Sequence, residues 1–350
     1  MEVTNGDGEG QQESRTRAVI SVGVIATLLI GALFATVGSL NRDVYSAGGF
    51  VGQYLEALAR HDAAGALAMP GVELTDARLK EAGLPQDLPS TLLRGSVLGE
   101  LTDIRLRSDT AGENGRHTVV YDFRLDGTKA TMEFAVARAG TFAGVFDSWR
   151  FTTSPLAVLQ VTVLHESTFT VNGLTLDTRA HAADEAPVTF SNQAAYIAFA
   201  PALYEFTHDS TLLTSKKQAV PVTASAATDV TIDAMPNDRF ITQVQTELNN
   251  FLDACATQKV LQPSNCPFGI EINDQVEELP TWSIASYPVV TLTAGQTTFE
   301  MPPTAGKAHI VVDVRSLFDG ELSTRDEDVP FTVALSVTIQ PDGALAIQLR

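Results

Sequence analysis

The chain has 350 residues, 44% of them hydrophobic and 19% charged, and a formal net charge of −19 at pH 7. That length is ample for two or three domains with proper cores. So acidic a chain is repelled by phosphate backbones, which excludes nucleic acid as a partner, and the charge serves chiefly to keep a large protein soluble.

The leader MEVTNGDGEGQQESRTR, residues 1–17, is rich in Gly, Glu and Gln and has no apolar face, so it reads as a disordered tail. Ala18 to Leu40 then form an uncharged run, AVISVGVIATLLIGALFATVGSL. As a helix it reaches about 34 Å, enough to cross a bilayer. Arg15 and Arg17 precede the run, whereas Arg42 beyond it is offset at once by Asp43. The basic side stays inside, which makes the tail cytoplasmic and the bulk of the chain extracytoplasmic: a single-pass, type II arrangement at the cell membrane. A cleaved signal peptide is the competing reading. Signal-peptide cores run to about 7–15 residues and end in a small-x-small site, so the longer run favours a retained anchor, with Ala35 to Ser39 the one stretch where cleavage is conceivable.

The first exported segment, 45–152, opens on a helix with apolar Phe50, Val51, Tyr54, Leu55 and Leu58 at helical spacing. Asp62 caps a short second helix, AAGALAM, and Thr75 or Asp76 opens a third that Gly83 can end. Alternation then predicts strands near Leu101–Arg107, His117–Leu125, Ala130–Ala137 and Val145–Thr152, helices first and an antiparallel sheet after. The stretch VGQYLEALARHDAAGALAM resembles the opening of cone-shaped nuclear-transport-factor-like (SnoaL-like) domains, the superfamily of ketosteroid isomerases and polyketide cyclases. The resemblance implies a sheet curled around the helices and an apolar mouth.

The middle segment, 154–227, carries short β-patterned runs at Ala157–Leu164, Phe169–Val171, Ala194–Phe199, Leu203–Thr207 and Ala219–Thr223, with Asn172-Gly173 as a hairpin signal. It reads as a small β-sandwich or barrel. Its FTVNGLTLD and PALYEFTHDS stretches resemble small extracytoplasmic β modules of bacterial envelope proteins.

The last segment, 229–350, begins with a strand at Asp229–Ala234 and a long helix capped near Asn237, whose Phe240, Ile241, Val244, Leu248, Phe251, Leu252 and Cys255 mark a buried face. Strands follow near Trp282–Thr293, Thr297–Met301, Ala308–Phe318, Pro330–Ile339 and Ala344–Leu349. Cys255 and Cys266 are the only cysteines, and their spacing suits neither a Cys-x-x-Cys redox site nor a zinc site. In an exported domain they make a disulfide, worth on the order of 3 kcal/mol in the chain-entropy model; the other reading, two unpaired buried thiols, is structural as well. CATQKVLQPSNCPFG, TWSIASYPVV and the closing GALAIQLR together resemble single-pass envelope proteins of high-GC Gram-positive bacteria and, distantly, the teicoplanin-resistance-associated TcaA group. This chain lacks the zinc-ribbon cysteines that precede the span in that group.

The expected fold is therefore α+β and β-rich: a transmembrane helix, a cone-like domain, a small β module and a second helix-plus-sheet domain. No Gly-x-Ser-x-Gly elbow or phosphate-cradling glycine loop occurs. His165-Glu166 begins a zinc-protease pattern, but Phe169 stands where the second histidine belongs. His61, His117, His181, His208 and His309 have no ligand spacing and read as exposed or capping residues. An isomerase needs an acid or base in an apolar pocket. Strand alternation offers Tyr121 with Asp147, joined by Tyr54 from the helix; the plain alternative is two core phenols and a carboxylate at a solvated strand end. Glu271, Asp274, Glu277 and Glu278, and the later Asp319, Glu321, Asp326, Glu327 and Asp328, lack the alternation of a calcium loop and read as solvated acidic loops. Lys216-Lys217 reads as edge-strand protection.

These observations imply no cofactor and no metal. The expected role is a membrane-anchored binding or scaffolding protein of the bacterial cell envelope without catalytic activity, whose partner is an envelope protein, a cell-wall component or a small apolar ligand. A ligand sensor with an apolar cone pocket and an isomerase- or cyclase-like enzyme are the alternatives.

Overall fold

A computed structural model describes residue 32 and residues 44–81, 86–142, 145–180, 189–340 and 342–350. The tail 1–17, the apolar run Ala18–Leu40 apart from Ala32, Gly83 and His181 lie outside the described residues. Among the described residues no helix is long and apolar enough to cross a membrane. The structure is α+β and β-rich, with 48% strand and 16% helix, and one of its sheets forms a half-barrel. By compactness the chain divides into two units: Met1–Leu159, Ala195–Tyr204 and Val220–Thr228 form the first, and Gln160–Ala194, Glu205–Ala219 and Asp229–Arg350 the second. Residues 154–227 contribute to both.

In the first unit, helix α1 (Ala47–Ala59) starts where the Ser46 hydroxyl accepts from Gly49 N–H at 2.9 Å, satisfying one of the orphan amides of the first turn. It stops at Arg60, just before His61 turns into the left-handed region at φ 58°. Asp62 caps α2 (Ala63–Leu67) by accepting from Gly65 N–H at 2.8 Å, and α3 spans Asp76–Glu81. Strands β1 (Leu101–Ala111), β2 (Arg116–Leu125), β3 (Thr128–Phe142) and β4 (Phe146–Phe151) form an antiparallel sheet in sequential order. The Asp126-Gly127 turn between β2 and β3 puts both central residues at positive φ, as a two-residue hairpin of matching twist requires.

Alternation assigns the faces of this sheet. Val119, Tyr121, Phe123 and Leu125 on β2, and Met132, Phe134 and Val136 on β3, are all buried, as are Trp149 and Phe151 on β4. The ring of Tyr54 meets Phe134 at 6.3 Å and Phe151 at 5.4 Å, and Phe50 meets Phe151 at 5.0 Å. Aromatic side chains thus fill the space between helix and sheet, each stabilising by roughly 1.5–3 kcal/mol relative to exposure. Gly71, at φ 84°, closes that core: a Cβ there would meet the Phe151 carbonyl oxygen at 2.3 Å.

The strands that follow are β5 (Leu156–Leu164), β6 (Thr168–Val171), β7 (Leu174–Asp177), β8 (Ser191–Phe199), β9 (Ala202–Thr207), β10 (Leu213–Thr214), β11 (Gln218–Val222), β12 (Ala227–Asp233) and β13 (Met235–Pro236). Two sheets result, of order β12-β5-β8 and β11-β9-β6-β7, with β10 and β13 paired separately. The Asn172-Gly173 turn joins β6 to β7 with both residues at positive φ, as the dipeptide signals. Lys217, just before edge strand β11, pairs with Glu205 at 2.6 Å.

In the second unit, helix α4 (Asp238–Ala256) is capped by Asn237, whose side-chain oxygen accepts from Phe240 N–H at 3.0 Å. Its buried stripe of Phe240, Val244, Leu248, Leu252 and Cys255 belongs to one apolar core with Trp282, Phe299, Ile310 and Phe331. The sheet of this core is built from β14 (Gln275–Val276), β15 (Thr281–Ser286), β16 (Thr293–Ala294), β17 (Phe299–Arg315), β18 (Leu322–Ile339) and β19 (Leu345–Leu349). Three sequence expectations differ here, the first being the strand expected at Pro330–Ile339, which already begins at Leu322. The strand from Trp282 ends at Ser286, ahead of Pro288, which has no N–H for a ladder. The two strands expected at Thr297–Met301 and Ala308–Phe318 are one, because a register shift between Met301 and Thr304 absorbs Pro302 and Pro303. Cys255 and Cys266 form a disulfide with Cα atoms 5.8 Å apart, and the Trp282 indole N–H donates to the Val260 carbonyl inside the loop it closes.

Candidate functional site

The residues singled out from the sequence for the first sheet are each bonded to a different partner. Tyr54 is fully buried and its hydroxyl donates to the Ala200 carbonyl at 2.9 Å, while burial pushes the phenol well above its ordinary range. The Tyr121 hydroxyl donates to the Gly48 carbonyl at 2.9 Å and is raised by burial, with the Glu56 and Asp109 carboxylates adding to the shift. Asp147, at the partly solvated end of β4, accepts from Arg138 on the neighbouring strand. Both phenols spend their one proton on a main-chain carbonyl, which is what core tyrosines do.

A different site lies wholly within the second unit. A groove of about 640 Å³ is lined by His165, Glu166, Ser167, Arg179, Phe190 and Asn192, by Ser210–Leu213, by Thr297 and Phe299, and by Thr338–Gln340 with Gly343. His165 follows the last residue of β5 in a left-handed conformation, φ 68°, which few non-glycine residues adopt. Its backbone N–H donates to the Phe190 carbonyl at 2.7 Å, fixing the corner. Its ring lies 4.6 Å from Phe190 and 5.7 Å from Phe299, so the imidazole is largely buried between two aromatic side chains.

Nδ1 of His165 faces two acceptors, the Asp233 carboxylate at 3.1 Å and the Ala234 carbonyl at 3.2 Å. Two acceptors at one ring nitrogen place a proton there, so Nδ1 is a donor and the ring is held in one orientation. The wall beside it is held by Asn192, only 8% exposed. The Asn192 amide donates to the carbonyls of Glu166 (3.0 Å) and Thr189 (2.9 Å), and its oxygen accepts from the Thr189 hydroxyl at 2.9 Å. Ser167 contributes its carbonyl to both the N–H and the hydroxyl of Thr178. The groove therefore offers an oriented imidazole, hydroxyl and amide groups on pinned backbone, and apolar patches at Phe190, Leu212 and Phe299. That is the composition of a ligand site, apolar with a few placed polar groups. For nucleophilic chemistry a hydroxyl would have to reach the imidazole within about 2.6–3.2 Å. The Ser210 hydroxyl instead bonds the backbone of Leu213, and the bonds of the described residues include none from Ser167 to His165.

The other sequence candidates resolve as follows. Phe169 is a buried core residue of β6, so the His165-Glu166 pattern gains no second ligand, and among the described residues no three His, Cys, Asp or Glu gather as a metal site. His208 is 3% exposed rather than a surface residue, with Nδ1 2.9 Å from the Thr168 carbonyl and Nε2 buried without a partner. His117 lies 2.6 Å from Asp109 and 4.8 Å from the Trp149 ring. Asp326 and Asp328 are in strand β18 rather than a loop, and face His309 of β17 at 3.2 and 3.1 Å. Glu277 pairs with Arg315 at 2.6 Å, and the Asp319 carboxylate, held low by the Ser316 and Glu321 hydrogen bonds, caps its turn. Asp233 and Asn192, which orient and support the groove, carry no local sequence signal: they lie 68 and 27 positions from His165, and only tertiary pairing joins them.

No family model matches the chain, and neither a curated protein nor a solved structure matches it.

Proposed function

We propose that the chain is a single-pass, type II membrane protein of the bacterial cell envelope that binds a ligand or partner outside the membrane and is not an enzyme. In this reading residues 18–40 are the anchor, 45–152 a cone-like module of nuclear-transport-factor type, 154–227 a small β module and 229–350 a helix-plus-sheet module, and the relatives are envelope proteins distantly like the TcaA group. The groove at His165 carries the binding role. A volume of about 640 Å³ with an imidazole oriented by Asp233 suits a small ligand or a peptide segment of an envelope protein. The Cys255–Cys266 disulfide supports export, since such bridges persist in oxidising compartments.

Two measurements test this. Protease protection of intact cells should shield the tail and expose residues beyond 44; digestion with the opposite pattern refutes the topology. Photo-crosslinking from the exposed Thr211 and Thr297 of the groove should capture one dominant species. An absence of capture from both positions, with capture elsewhere on the chain, moves the binding role away from His165.

A further inference from the structure

The exposed face of the first sheet breaks the acidic character of the rest of the chain. A cleft of about 410 Å³ on β1, β2 and β3 is lined by Arg105, Arg107, Arg124 and Lys129, against only two carboxylates, Asp103 and Asp122. The two acids have a structural task. Asp122 accepts from Arg107 Nε at 2.9 Å and from the Thr131 hydroxyl at 2.7 Å, and Asp103 accepts from Arg124 Nε at 2.9 Å. Each carboxylate takes its guanidinium through Nε. Arg124 spends a further N–H on the Gly127 carbonyl at 2.6 Å, so Arg107, with both Nη groups, is the better supplied with donors. Arg105 reaches Asp103 only at 4.0 Å, and Lys129 forms no ion pair among the described residues.

Backbone geometry assembles this cluster at a cost. Register shifts on either side of Arg105 and Leu106 bulge β1 twice, and Asp103 sits at φ 53°, a conformation a residue other than glycine seldom holds. Arg124 and Lys129 stand directly opposite each other across β2 and β3, where like charges repel. A cluster held by paired acids, aimed by two bulges and containing a cross-strand cation pair suits an anion that neutralises it.

We infer that this cleft is an oxyanion site that takes a phosphate group, free or carried on a larger molecule. Guanidinium groups meet phosphate oxygens through paired N–H donors, and the Lys129 ammonium adds a point charge. The overall charge of −19 keeps long polyanions at a distance, so the cleft selects a ligand with few charges. This site is independent of the groove at His165 and stands or falls separately from it.

The test titrates the full-length protein, in uncharged detergent, by calorimetry with inorganic pyrophosphate and, in parallel, with dihexanoyl phosphatidylglycerol against dihexanoyl phosphatidylcholine, each below its micellar concentration. The double variant Arg105→Gln/Lys129→Gln removes the two cations that hold no close partner and so spares the fold. Lys216→Gln/Lys307→Gln, both within the second unit, where Lys307 pairs with Asp328, is the control for two lost charges. The expected result is saturable binding of pyrophosphate that weakens about tenfold in the double variant and is unchanged in the control. Binding should also weaken with salt, as the screening length falls from about 30 Å at 0.01 M to about 8 Å at 0.15 M. Binding of the phosphatidylglycerol alone, lost in the double variant, assigns the phosphate to a lipid headgroup. No saturable binding of either probe, or binding equal in the double variant and the control, overturns the site.

Discussion

Both units place a capped helix ahead of an antiparallel sheet, yet they treat the polar groups beside their aromatic residues in opposite ways. In the first, Tyr54 and Tyr121 turn their hydroxyls onto main-chain carbonyls, and the rings of Phe50, Phe134 and Phe151 take up the space between helix and sheet. In the second, Phe190 and Phe299 flank an imidazole whose Nδ1 is satisfied and whose groove stays open. Local pattern is alike in the two regions; what differs is whether each polar atom is consumed by the protein itself. The unit whose aromatic core leaves polar groups to offer is the one whose core is assigned a ligand, whereas the cationic cleft of the first unit lies on the exposed face of its sheet.

The largest effects should fall on the filled unit. Tyr54→Ala removes a fully buried ring and is expected to destabilise by about 3–5 kcal/mol, whereas Tyr54→Phe, which only orphans the Ala200 carbonyl, should cost about 1–2 kcal/mol. The chain has two tryptophans, Trp149 in the first unit and Trp282 in the second, so denaturation of Trp282→Phe and Trp149→Phe backgrounds reads each unit alone. Loss of signal change from Trp149 in Tyr54→Ala, with Trp282 unaffected, sharpens the division; equal shifts of both reporters erase it.

Removing the disulfide should come next, and on the other side of the comparison. Cys255→Ser/Cys266→Ser is expected to cost about 3 kcal/mol, read from Trp282, which packs on Phe268 just past the bridge. In the same unit Asn192→Ala frees the carbonyls of Glu166 and Thr189 and should cost about 1–3 kcal/mol while loosening the groove. Crosslinking from Thr297 that survives Asn192→Ala at full yield would separate the clamp from binding.

Alkali distinguishes the units by degree, since Tyr287 of the second unit is also raised, chiefly by its hydrogen bond to Asp253, but lies exposed. Tyr54, Tyr204 and Tyr121 are all raised above the ordinary 10.0, in each case chiefly by burial. A phenol whose folded value is raised contributes stability that is present below pH 10 and lost as pH climbs towards the folded value. The Trp149 transition should therefore fall above pH 10 before that of Trp282, and Tyr54→Phe should narrow the difference. The smallest effect belongs to Asp147→Asn: the Arg138 pair is half-exposed, and its loss is expected to cost less than about 1 kcal/mol in chemical denaturation. A cost several times larger would give Asp147 a structural weight that its exposure does not suggest.

Much of the frame is legible in the sequence because its causes are local. The spacing of Phe50 to Leu58, the capping oxygens of Asp62 and Asn237, and Asn172-Gly173 each act within a few residues, and the helices and hairpin form where those signals stand. The Cys255–Cys266 bridge is legible because two cysteines admit one pairing. Pro302 and Pro303 mislead, since a proline that breaks a strand and one that sits in a bulge look alike until the partner strand is known. The groove is illegible for a stronger reason. His165, Asn192, Ser210, Phe299 and Gln340 meet only through non-local pairing, and nothing near His165 announces that Asp233 will orient it. The cationic cleft is half legible: alternation puts Asp122 and Arg124 on the open face of β2, but the two bulges that bring Arg105 and Arg107 to them leave no mark in the pattern.

The most direct measurement is paired photo-crosslinking in intact cells, with one probe at Thr297 in the groove and one at Thr110 on the first sheet, each repeated in a His165→Ala background. The account expects a dominant species captured from Thr297, lost with His165→Ala, and no His165-dependent capture from Thr110. Capture from Thr297 that ignores His165, or a dominant species from Thr110 alone, would contradict it.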